Sequence, residues 1–161
     1  METLSSALTI LSAMITPAVL ILASGSLSLT TSQRLSRSID RVRKMSEKLG
    51  ELNAAEEMPE FKAIERAFLM QQLTIAARRS RLLQRAMTTI YIALTIFVAA
   101  ILTIGALELF GLGAAWLLIL LGFTGVALVF YACIMLILES RLALRSVNKE
   151  MDFTLTYYVS D

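Results

Sequence analysis

Apolar positions along this chain follow two patterns. In three blocks, Thr3–Gln33, Ala86–Leu107 and Leu109–Leu138, no charged residue interrupts them. Between the first two blocks they recur every three or four residues among charges. Each block holds the ~20 residues that cross ~30 Å of hydrocarbon. Only helices and closed barrels satisfy their backbone inside lipid, and blocks this long without strict alternation predict helices. The spans are expected at about 7–29, 87–107 and 114–138. A buried hairpin in a soluble domain is the competing reading, and the 25-residue uncharged run Ala114–Leu138 argues against it.

In the connecting segment, Leu35, Ile39, Val42, Met45 (or Ser46) and Leu49 predict one apolar helical face. Gly50 and the run "NAAEEMP" suggest a connection, and Pro59 with Glu60 suits the first turn of a new helix. Ile64, Phe68, Gln71 or Gln72, Ile75, Arg79 and Leu82 continue the spacing. No breaker stands between Pro59 and Gly105, and only Gly25 between Pro17 and Gly50. The expectation is an all-α protein: three transmembrane helices, a cytoplasmic antiparallel helical hairpin at about 33–86 between helices 1 and 2, and a tail at 139–161. The first arm would reach roughly 25 Å beyond the membrane. A basic amphipathic helix lying on anionic lipid is the alternative.

The first block is unusually hydroxylated, with ten Ser and Thr between Ser5 and Thr31. Ser5, Thr9, Ser12 and Thr16 share one face, and the same spacing leads on to Ala23, Ser26 and Thr30. Continued further, it meets Arg34, Arg37, Arg41, Lys44 and Lys48. Two readings fit. Small and hydroxylated residues let membrane helices approach closely, each hydroxyl bonding a carbonyl one turn back or a neighbouring helix. Alternatively, several copies of helix 1 surround an axis, with hydroxyls wetting a pore and arginines ringing its mouth. The sign of any ion selectivity does not follow. The basic face alone also suits a solvated surface near anionic headgroups.

Composition sharpens this picture. The chain is 57% hydrophobic with mean hydropathy +0.70, above the ~45–50% apolar content of soluble domains. The net charge of +2 hides an asymmetry: twelve Lys and Arg lie between Ser32 and Arg85, and none precedes Arg34. Arg141, Arg145 and Lys149 join them in the tail, while Glu2 and Glu108 lie on the other side. The positive-inside rule then puts the N-terminus outside and the basic segment and C-terminus in the cytoplasm. Lacking a basic n-region, the first block is expected to stay as a span rather than serve as a signal peptide.

Candidate chemistry is sparse. There is no histidine and one cysteine, Cys133, so no disulfide, metal centre or cofactor is expected. No catalytic constellation stands out, and the expectation is a non-enzyme. Glu108 and Glu139 fall at span ends rather than mid-membrane. Asp40 suits local pairing with Arg37, Arg41 and Arg43, or neutralisation of Arg78, Arg79 or Arg81 across the hairpin. "GFTG" at 122–125 suits a kink or close packing, and Cys133 a small apolar role. "RRSRLLQR" abuts a span, so membrane anchoring explains it better than nucleic acid. The expected partners are the lipid bilayer, further copies of the chain and, on the pore reading, conducted ions.

The runs "AMITPAVLILASGSL", "TSQRLSRSIDRVR" and "ARRSRLLQRAM" resemble a bacterial multi-span membrane family catalogued as a domain of unknown function, DUF2721. The resemblance covers about Ser5 to Arg145. It implies a small protein of the bacterial inner (plasma) membrane with a few spans, and brings no reaction, ligand or site residue. Two functions remain open: a homo-oligomeric channel-like assembly with helix 1 lining a central axis, or a non-conducting scaffold whose hairpin binds a partner.

Overall fold

A computed structural model describes residues 2–54, 59–110 and 115–158, with side chains described over 8–52, 65–110 and 115–144. Among the described residues the protein is all-α: α1 is Glu2–Ala54, α2 is Pro59–Phe110 and α3 is Ala115–Tyr158. The connections at 55–58 and 111–114, and the side chains of Ser5, Lys62, Arg145 and Lys149, lie outside the described residues.

The helices are long because little in the sequence stops them. Pro17 sits inside α1 without ending it; proline removes one backbone donor, a loss that membrane helices tolerate. Pro59 opens α2 as expected, since a first-turn N–H has no intrahelical acceptor. Helix α3 does not stop at Leu138, the last residue of the uncharged block, and the expected tail is helical to Tyr158. All three helices are long and apolar enough to cross a membrane, which makes this an integral membrane protein.

The chain forms two compact units. The first comprises Met1–Thr31 and Arg85–Ile134, the largely apolar parts of all three helices. Its core is a stripe on α2, Ala86, Ile90, Ala93, Phe97 and Ala100, joined by Ala132 of α3 and by Ser24, Ser28 and Thr31 of α1. Alternating steps of four and three keep that stripe on one face, and its alanines let neighbours approach closely. Opposite Phe97 stands Gly125, where a Cβ would overlap the Phe97 ring, with Cδ1 and Cζ both at 2.9 Å. Close packing at "GFTG" therefore falls on Gly125, whereas Gly122 meets nothing within 4 Å. Leu102, Trp116, Ile119, Phe123 and Phe130 face outward, as lipid-facing positions should.

The second unit comprises Ser32–Gln84 and Met135–Asp161. Here α1 and α2 form the expected antiparallel pair, tied by Ser38 Oγ and Ser80 Oγ at 2.9 Å. The core is Gln72, Ala76 and Leu83 of α2, Ser38 of α1 and Glu139 of α3. Two details differ from expectation. The α2 stripe lies one residue on from Ile75 and Leu82, which are only half-buried, because small Ala76 admits its neighbours more closely. The hairpin is also not a pair alone, since α3 packs against it as a third helix.

Candidate functional site

The hydroxylated row of α1 lies in the first unit. Thr9, Ser12, Thr16, Ala23, Ser26 and Thr30 are all exposed. At about 100° per residue they occupy one sector, about a third of a turn from Ser24, Ser28 and Thr31. Those three are the buried residues of α1 in this unit among the described residues. The buried hydroxyls of α1 in this unit are therefore not those of the expected row. Beside the row, on its other flank, Leu8, Leu11, Ile15 and Leu22 are exposed. Thr30 satisfies its hydroxyl internally by donating to the Leu27 carbonyl at 3.0 Å, and Thr31 does the same at 2.7 Å. A cavity of about 430 Å³ opens between α1 and α3, lined by Leu20, Ala23, Leu27, Val126, Phe130 and Cys133, with Phe97 among its walls.

The basic row lies in the second unit. Arg34, Arg37, Lys44 and Lys48 are exposed and Arg41 is half-buried. Only the three arginines converge on a common space. With Ser38, Arg79 of α2, and Glu139, Ser140 and Ala143 of α3, they line a cavity of about 450 Å³. Lys44 and Lys48 do not line it.

At the centre stands Glu139, whose side chain is 4% exposed. Arg79 donates Nε at 3.0 Å and Nη2 at 2.9 Å to the same oxygen, Oε1. Arg34 Nη1 lies 3.8 Å from Oε2 with its side chain 53% exposed. Burying a carboxylate is costly unless it is paired and hydrogen-bonded, and Arg79, itself 19% exposed, meets that need. Arg79 therefore takes its carboxylate from α3; Asp40, for which pairing across the hairpin was the alternative to local pairing, is exposed on α1. Arg37 donates Nε to the Gln33 carbonyl at 3.2 Å, which fixes the side chain along its own helix.

Among the described residues, four guanidinium groups thus share one cavity with one carboxylate. Sequence reasoning placed Glu139 at a span end and missed this role. The available signal was Arg79, a charge set three residues after buried Ala76 and four before buried Leu83, which demands a buried partner. Among the described residues, no three His, Cys, Asp or Glu side chains come together as a metal site would need.

No curated protein and no solved structure matches the chain. One family does, described as "Protein of unknown function (DUF2721)", and its match runs over residues 14–149. That range takes in Pro17, the basic row, Arg79 and Glu139, together with most of all three helices. The chain belongs to the DUF2721 family.

Proposed function

We propose that this membrane protein assembles from several copies into a channel-like structure with α1 around a central axis, in a bacterial inner membrane. The N-terminus is outside, and the second unit and C-terminus are cytoplasmic. That orientation rests on the cluster of Lys and Arg between Ser32 and Arg85. The function is not enzymatic.

One observation carries the reading. Thr9, Ser12, Thr16, Ser26 and Thr30 remain exposed while α1 uses another face to pack on its own chain. A lone three-helix chain is too small to enclose a pore, so a pore lined by this row requires further copies of the chain around the axis. Thr9→Cys, Ser12→Cys and Thr16→Cys, each made in a Cys133→Ser background, test it in intact membranes. They are expected to react with a small water-soluble thiol reagent, and Leu11→Cys and Leu22→Cys on the apolar flank to resist it. Unreactive hydroxyl positions would turn the row into a lipid or packing face.

A second reading, a non-conducting scaffold, is favoured by Ile39 and Met70. These are large apolar residues 46% and 44% exposed in the charged second unit. A partner helix would cover them, and Ile39→Ser with Met70→Ser would then abolish its capture.

A further inference from the structure

The cavity between α1 and α3 lies wholly within the first unit, where all three helices are uncharged. Its α1 wall runs from Leu20 to Leu27 and its α3 wall from Val126 to Cys133, with the Phe97 ring contributed by α2. Each wall covers about two turns, roughly 10 Å of helix. Every lining residue sits at least about ten residues, roughly 15 Å of helix, inside the stretches whose side chains are described. Two features decide what fills the space. Among the described residues, only Ser24 and Cys133 bring polar side-chain atoms to the walls, and Ser24 is buried. A trapped water needs two to four polar partners, and cavities without them stay dry and take apolar guests. The second feature is the mouth. Val126 and Phe130 line the cavity and are also exposed. With Ile119 and Phe123 they form one outward face of α3, in steps of four, three and four. The cavity is therefore continuous with the surface that faces lipid.

From this arrangement we infer that the cavity holds one acyl chain of a membrane lipid. Bilayer and cavity are equally apolar, so no hydrophobic transfer drives the chain in. The gain is contact. An unfilled space leaves its wall atoms without partners on one side, and a methylene chain lying along α1 and α3 supplies them. The walls run along the helices, the direction that acyl chains take in a bilayer. The volume of about 430 Å³ lies in the ~300–1,000 Å³ range of small-molecule sites. It is too small for a helix of a second copy. A helix about 10 Å across and two turns long takes roughly 800 Å³, nearly twice the space. No charged side chain lines the cavity among the described residues, so the hydrocarbon is recognised there and the headgroup is not. The site needs one copy of the chain and stands apart from the proposed channel.

The test uses the full chain in lipid nanodiscs containing a little phosphatidylcholine with a diazirine midway along one acyl chain. After photolysis, labelled residues are mapped by mass spectrometry. Leu20, Leu27 and Val129 line the cavity and are half-buried, whereas Val98 and Leu102 are exposed on α2 outside it. The cavity residues are expected to label about threefold more than the exposed pair, against the order of their exposure. Ala23→Phe and Val129→Phe each set a ring in the cavity and should cut labelling of Leu20 and Leu27 about fivefold, while Leu102→Phe leaves it unchanged. Two filled variants are used so that one misfolded protein, seen as a lowered unfolding temperature, does not decide the result. Phosphatidylglycerol carrying the same diazirine should give the same pattern. Labelling that follows exposure, with Val98 and Leu102 ahead, overturns the site and leaves only exchanging surface lipid. Absent cavity labelling, as when a side chain of a second copy fills the space, overturns it too. So does labelling that survives in a folded filled variant or is confined to one headgroup.

Discussion

Arg79 delivers two N–H groups, Nε at 3.0 Å and Nη2 at 2.9 Å, to one carboxylate oxygen of Glu139, 60 residues along the chain. The pair fastens α2 to α3 inside the charged unit. Arg34 adds a looser contact at 3.8 Å.

Unequal geometry means unequal cost. Arg79→Met leaves a buried carboxylate without its close partner and is expected to destabilise the protein by about 3 kcal/mol. Arg34→Met removes a half-exposed contact and is expected to cost under about 1 kcal/mol. Adding Glu139→Leu to Arg79→Met should recover most of the loss, since removing both charges removes the desolvation cost. Thermal unfolding in detergent measures all three. Equal losses for the two arginine variants would refute the division of labour.

The contact between Gly125 and Phe97 predicts a steric effect in the uncharged unit. Gly125→Val meets the Phe97 ring and is expected to cost about 1–3 kcal/mol through overpacking. Gly122→Val meets nothing within 4 Å and should change stability by less than about 0.5 kcal/mol. Shrinking the ring with Phe97→Leu should restore part of the Gly125→Val loss, as coupled neighbours do in a double-mutant cycle.

Gln72 sits in the core of the second unit at 5% exposure, and its Oε1 has no hydrogen-bond partner. Replacing it with Met keeps the length and removes the unpaired acceptor. The expected change is neutral or a gain of about 1 kcal/mol, read as a higher unfolding temperature. A clear loss would show that the amide contributes to packing.

Helix existence was legible from breakers and charge alone. Pro59 marks the start of α2, and the uncharged blocks mark the parts able to cross a membrane. The continuation of α3 was also legible, because no Gly or Pro follows Gly125; the charges after Leu138 suggested a tail instead. The one-residue shift from Ile75 and Leu82 to Ala76 and Leu83 was harder to see. Alanine weighs little in a hydrophobic pattern, yet its size decides which face neighbours can approach. The cluster at Glu139 was illegible for a different reason. Periodicity orders residues within one helix, and nothing local to Glu139 says which arginine, on which helix, will reach it.

The exposed hydroxyl row invites the most direct measurement, an image reconstruction of the purified protein in lipid with its subunits counted. The expected result is a symmetric ring of copies with Thr9, Ser12 and Thr16 turned toward a central void. A single copy, or a ring whose axis is lined by α2 or α3, would contradict the proposed assembly.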